Sequence, residues 1–236
     1  MNEDAAWRRR FRASLTSLPD WAPDAPDRLV SLSNESGRWE QHAWDRTSGA
    51  RRQVTDRPEG TRQGAIDPAG AWIWWFADDR GSELGVWMAE PFDGGAPARP
   101  AVPGIEPAHP CGLALGRDLA VVGTSSDAGS RIYAAGLTDP PGPPEVIYEH
   151  RELAFVAGIS RDGTLLAIAH SEHGVIQHPA LRVVDRRGEA VAELWDGPGL
   201  GVRAGQWSPV PGDQQIRQTE MELAFVHRHL GTPVPL

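Results

Sequence analysis

The side chains best equipped for chemistry lie at His170-Ser171-Glu172-His173, with His178 close behind. Imidazoles beside a carboxylate are a zinc donor set, but zinc histidines on a helix stand four residues apart next to a glutamate. Here the stretch reads as the end of a strand running into a loop, so these are expected to be loop side chains, with no metal site. His42, His109 and His150 are isolated and read the same way. Asp78, Asp79, Glu83 and Asp127 follow short apolar runs and fall in loops. Loops at one end of a rigid scaffold often carry its binding site, yet exposed acids are common and turn carboxylates explain these. Ser125, Ser126 and Ser160 have no histidine and aspartate at triad spacing, and turn-forming hydroxyls account for them. The single cysteine, Cys111, excludes an internal disulfide and a cysteine-based zinc site. It is expected to be a buried thiol. The expectation is therefore no catalytic, cofactor-binding or metal-binding residues, and no cofactor.

The elements that hold these side chains repeat along the chain. A polar turn feeding an apolar strand occurs at Ser160-Arg161-Asp162-Gly163-Thr164-Leu165-Leu166-Ala167-Ile168-Ala169 and at Asp67-Pro68-Ala69-Gly70-Ala71-Trp72-Ile73-Trp74-Trp75-Phe76. A shortened form starts at Gly116, a degenerate one at Ala22, and the turn recurs at Ser208. These five positions are 45, 49, 44 and 48 residues apart. That is the period of four-stranded propeller blades, roughly 40 to 50 residues. Each unit continues through a second strand (Trp39–Trp44, 84–88, 131–134 and 180–184), a turn rich in Asp and Gly, and a closing strand (52–55, 145–148 and 190–194). Residues 96–103 are rich in proline and predict a weak closing strand in the second copy. A fourth strand precedes three of the anchors, at 64–66, 111–114 and 156–159.

Gly (26) and Pro (21) form about a fifth of the 236 residues, which opposes helical repeats of the same length. The fold expected is all-β: a partial β-propeller of about four four-stranded blades plus a stub, spanning residues 19–213. Trp7, Phe11 and Leu15 at i, i+4 spacing predict a short amphipathic helix within residues 1–18. Residues 214–236 depart from the repeat and read as a helical tail stopped by Gly231 and Pro233. Trp72 and Trp74 should share one face of their strand, with Trp75 on the other. Packing between neighbouring blades explains the ten tryptophans better than ligand stacking does.

A net charge of −9 and a pI near 5.3 argue against nucleic-acid or anionic-membrane partners, which need clustered cations. Arg8-Arg9-Arg10 is the one dense basic run and reads as a solvated helix face. The sequence has no run of 18 apolar residues and no signal-peptide pattern near its start, so a cytoplasmic location is expected.

Residues 47–95, with the Asp67-Pro68-x-Gly70-x-Trp72 turn, and residues 158–174 resemble the N-terminal propeller of the prolyl oligopeptidase family. The acylaminoacyl-peptidase and dipeptidyl-aminopeptidase-like members are the most similar, and the resemblance runs over roughly residues 7–213. The Asp-Pro-x-Gly-x-Trp turn is shared with TolB-like propellers, so it speaks for the fold more than for the family. The resemblance implies a propeller that caps an α/β-hydrolase domain and filters peptide substrates on their way to a Ser-Asp-His triad. No Gly-x-Ser-x-Gly nucleophile elbow occurs in the 236 residues, so the chain is expected to be inactive alone and truncated relative to that family. The alternative is a free-standing propeller that binds proteins or ligands. Either way, an open arc of blades would leave exposed faces that favour self-association.

Overall fold

The computed structural model describes residues 13–138, 141–173, 177–195 and 197. Among them there is no helix, and sixteen strands form four antiparallel sheets of four, each a simple meander in chain order. The first sheet is β1 (Asp20–Ala22), β2 (Ala25–Ser33), β3 (Glu40–Asp45) and β4 (Arg51–Gln53). The second is β5 (Gly64–Ile66), β6 (Trp72–Asp78), β7 (Gly85–Pro91) and β8 (Arg99–Pro100). The third is β9 (His109–Leu115), β10 (Leu119–Ser126), β11 (Gly129–Gly136) and β12 (Glu145–His150). The fourth is β13 (Ala154–Ile159), β14 (Leu165–His170), β15 (Ala180–Asp185) and β16 (Ala190–Leu194). The four-stranded unit read from the repeat is thus the unit of the fold.

The anchor turns show why the repeat folds this way. Asp67 accepts the Trp72 amide through Oδ1 at 2.6 Å and the Ala69 amide through Oδ2 at 3.3 Å. Gly70 donates its amide to the Asp67 carbonyl at 2.9 Å and has φ of 68°, which glycine adopts without the strain a Cβ brings. In the fourth sheet Ser160 plays the part of Asp67, and Gly163 (φ 70°) that of Gly70. The shortened third anchor closes with one backbone bond, Gly116 amide to Leu119 carbonyl, at 2.7 Å. These local bonds satisfy the turn's polar groups and launch the strand that follows.

Among the described residues the contacts divide the chain into two compact units, one running to residue 110 and joined by 141–144, the other taking in 111–138 and the residues from 145 onward. The first holds sheets one and two around Ala22, Val30, Ala43, Ile66, Ile73 and Phe92. Ile73, Trp74, Trp75 and Phe76 are all buried, so both faces of β6 are covered, as its unbroken apolar run predicts. Arginines join the two sheets. Arg28 donates to the Gly70 carbonyl at 2.8 Å with its guanidinium over the Phe92 ring, and Arg52 donates to Glu90 at 2.6 Å and to the Phe92 carbonyl at 2.8 Å.

The second unit packs sheets three and four around Val121, Ile132, Leu166, Ile168 and Val184. Cys111 is buried here, and burial pushes its thiol pKa up against the opposing bond with Ser125. Gly123 is required by close packing: a Cβ on it would stand 2.1 Å from the Cys111 carbonyl oxygen.

Two expectations are adjusted, and a third is met. Over its described residues, 13–18, the N-terminal segment is extended rather than helical. Thr16 bridges Ser33, Ser17 donates its amide to the Leu32 carbonyl at 2.8 Å, and Leu15 donates its amide to Asn34 Oδ1 at 2.6 Å. Those bonds hold residues 15–17 alongside β2, and Leu15 is exposed; Trp7 and Phe11, the rest of the expected helical face, lie outside the described residues. The first sheet also gains a fourth strand, β1, which had no counterpart in the repeat as read. The weak strand at 96–103 is β8, only two residues long. Residues 1–12, the Ser208 anchor and the tail at 214–236 lie outside the described residues.

Candidate functional site

Each unit offers one concentration of polar side chains. In the first, a cleft of about 500 Å³ is lined by Glu59, Thr61, Arg62, Asp78, Glu83 and His109, among others. The approach to β5 forms one wall, pinned by the Thr61 amide donating to the Trp39 carbonyl at 2.6 Å. The β6–β7 turn forms another. There Asp78 accepts the Glu83 amide at 3.2 Å, and Arg80 and Glu83 take φ of 55° and 63°. Such left-handed backbone in non-glycine residues is uncommon and collects at functional loops. Arg57 donates to the Asp78 carbonyl and lies against the Trp75 ring, tying the two walls together. Thr61 Oγ1 is buried with no hydrogen-bond partner. Acids, an arginine, an imidazole and a free hydroxyl thus converge on one concave surface, as ligand sites require.

Of the acids picked out from the sequence, Asp78 and Glu83 line this cleft. Asp79 instead forms an exposed ion pair with Arg80, and Asp127 belongs to the other unit, in the β10–β11 turn. His42 is buried in β3, where desolvation lowers its pKa despite Glu35 at 3.3 Å. His150 accepts the Glu152 amide. Ser126 accepts the Ala128 amide, and Ser160 donates to Asp162.

The second concentration lies on the fourth sheet and takes in most of the histidine cluster. His170 ends β14 and is fully buried. Its Nδ1 lies 3.6 Å from Glu172 Oε1, and its Nε2 lies 3.6 Å from Glu193 Oε2. Arg182 on β15 grips both acids: Nη1 and Nη2 meet Glu172 at 2.7 and 3.1 Å, and Nε and Nη2 meet Glu193 at 2.7 and 2.6 Å. Tyr148 from β12 donates its hydroxyl to Glu172 at 2.6 Å. His173 contacts Glu193, and its ring lies 4.7 Å from that of Trp195. His178 is half-buried in the connection to β15.

The electrostatics follow from that geometry. Burial alone would raise Glu172, but the Tyr148 hydroxyl and Arg182 outweigh it and bring its pKa down to about 2. Glu193 is likewise lowered, with His173 and Arg182 overcoming desolvation. Tyr148 is raised, first by burial and then by Glu172. His170 is lowered, chiefly by burial, with Arg182 adding to the effect and the two glutamates opposing it.

Reading along the chain found His170, Glu172 and His173 but missed Tyr148, Arg182 and Glu193. A signal for two of them was present. The hairpin around the Asp185–Gly188 turn pairs Arg182 directly with Glu193, and opposite charges facing each other across a hairpin are a recognisable pattern.

No family model matches the chain, and no curated protein matches it. Solved structures do. A TolB from Acinetobacter baumannii aligns with a TM-score of 0.53 and 15% identity, over 75% of this chain and 42% of that one. A structure from a study of two prolyl endopeptidases, on inter-domain dynamics in catalysis and specificity, aligns with a TM-score of 0.58 and 13% identity, over 86% of this chain and 37% of that one. Both contain β-propellers, and this chain spans about two fifths of the length of each. At such identities the likeness concerns the fold, and it agrees with the meander sheets: the chain has the all-β architecture of propeller blades.

Proposed function

We propose that this chain is the non-catalytic β-propeller portion of a prolyl-oligopeptidase-like serine peptidase, with a role in admitting peptide substrates. The cleft of the first unit carries this reading. It is concave, of mixed charge, built on loops between rigid strands, and has an unpartnered buried hydroxyl at Thr61. Extended peptides present amides and both signs of charge, which such a lining can meet. Support also comes from the alignment of 86% of the chain with part of a prolyl endopeptidase structure. The alternative is a propeller that binds proteins or ligands in its own right, favoured by the comparable alignment with TolB.

The coding DNA downstream of the Asp213 codon tests the choice. A frame encoding Gly-x-Ser-x-Gly with a later aspartate and histidine supports the peptidase reading, and an unrelated gene after a stop codon favours the alternative. In solution, the chain alone should not cleave aminoacyl-anilides. Fluorescent short peptides should bind it, and Asp78→Ala should weaken that binding. Peptide binding that ignores changes in the cleft would remove the proposal's main support.

A further inference from the structure

We propose that His170, His173 and Glu193 form a binding site for a divalent transition-metal ion of the zinc class. One ligand atom from each of the three lies within 4.8 Å of the others. Zinc bonds of about 2.0–2.2 Å to nitrogen and oxygen need small adjustments to close on such a set. Two imidazoles and one carboxylate select zinc, cobalt or nickel over calcium or magnesium, which prefer all-oxygen shells.

An independent observation points into the same space. His170 is fully buried, yet its Nε2 has no hydrogen-bond partner. A buried ring nitrogen without a partner is costly and calls for an explanation, and Nε2 faces Glu193. A metal there would satisfy it. In the metal-free geometry His170 Nδ1 accepts the Glu172 amide at 3.4 Å, so metal binding at Nε2 requires the ring proton to move to Nδ1. There Glu172 Oε1, 3.6 Å away, replaces the amide as its partner in the carboxylate–histidine–metal arrangement common to such sites.

The surrounding groups hold this geometry in place. Arg182 holds Glu193 Oε2 at 2.6 Å, leaving Oε1 on the side of His173. The two glutamates outnumber the single arginine, so with neutral imidazoles the cluster keeps a net negative charge that a cation offsets. The ligands sit at the end of β14, in the turn after it and on β16, so paired strands fix two of the three. Three protein ligands leave a fourth position for water or another molecule, as open zinc sites do. The helix-spacing rule misses this site because its third donor comes from a strand 20 residues further along the chain.

The test uses the full untagged chain, stripped with a chelator and titrated calorimetrically with Zn²⁺. One equivalent should bind, and Zn²⁺ should raise the melting temperature reversibly. Cobalt should give the visible bands of a four-coordinate N/O site. His173→Ala and Glu193→Gln alter partly exposed side chains and should fold, as circular dichroism will show. Each should weaken zinc binding by more than the roughly 10–100-fold typical of losing an outer-shell partner. Absence of stoichiometric binding overturns the site. So does zinc binding that neither variant weakens, because the ion would then be held by other residues.

Discussion

Asp67 and Ser160 occupy the same place in two anchor turns: each accepts, through a side-chain oxygen, the amide five residues on, Trp72 at 2.6 Å and Leu165 at 2.9 Å. Ser160→Ala should therefore cost about 1 kcal/mol through this bond, the usual net worth of one, and it also removes the hydroxyl's donation to Asp162; urea denaturation reads the total. Asp67→Ser keeps an acceptor oxygen and should fold normally.

The two turns should differ in their response to pH. Burial raises the Asp67 pKa above its ordinary 3.8, against four backbone amide bonds that lower it. A raised carboxyl binds protons more tightly when folded, so its contribution is lost as pH climbs from 3.8 through the folded value. Asp67→Ser should remove that loss. A stability profile that falls as steeply over this range in the variant would refute the assignment.

Asp162 works in the opposite sense. Bonds from the Ser160 hydroxyl and from Thr164 bring its pKa down to about 2 from 3.8. Its stabilisation is present above 3.8 and fades as pH falls toward 2. The wild type should lose stability over that interval faster than Asp162→Asn, as urea midpoints at successive pH values will reveal.

Close packing gives a sharper expectation at Gly123, where an added Cβ would meet the Cys111 carbonyl oxygen at 2.1 Å. Gly123→Ala should cost about 1–3 kcal/mol. Gly136→Ala serves as the control, since no atom lies within 4 Å of its added Cβ. It should stay within about 0.5 kcal/mol of wild type.

The buried carboxylate of Glu40 depends on Thr55. The Thr55 hydroxyl donates to Glu40 Oε2 and accepts the Gln41 amide at 3.0 Å, and the Arg57 amide donates to Glu40 Oε1 at 2.9 Å. Thr55→Val keeps the shape but strips a fully buried charge of a donor. It should cost about 1.5–3 kcal/mol, the range for bonds to charged groups, measured by thermal unfolding.

Legibility in the sequence followed the range of the interactions. The Asp67 and Ser160 turns bond within themselves, so their residues alone set the blade period and place β6 and β14. The strand at Gly64–Ile66 matched residue for residue. Interactions with distant partners were harder to read. Thr16 and Leu15 are drawn to Ser33 and Asn34, more than fifteen residues away, and helical spacing gave no hint of it. Trp21, exposed and next to a degenerate anchor, left β1 without an apolar pattern. In the histidine cluster, only the residues adjacent in sequence were visible. Arg182 and Glu193 arrive through the pairing of β15 with β16, and Tyr148 comes from the third sheet packed against the fourth.

The shortness of β8 has a consequence for what the second sheet can recruit. Its pairing with β7 runs through Met88↔Pro100 and Ala89↔Arg99, and Pro100 has no amide hydrogen to offer. A strand from another molecule seeking to extend this sheet would meet a two-residue margin tipped by proline and a cationic side chain. That margin is a poor seed for intermolecular strand addition, so the irregularity that weakens the repeat also guards the blade against fibril-like growth.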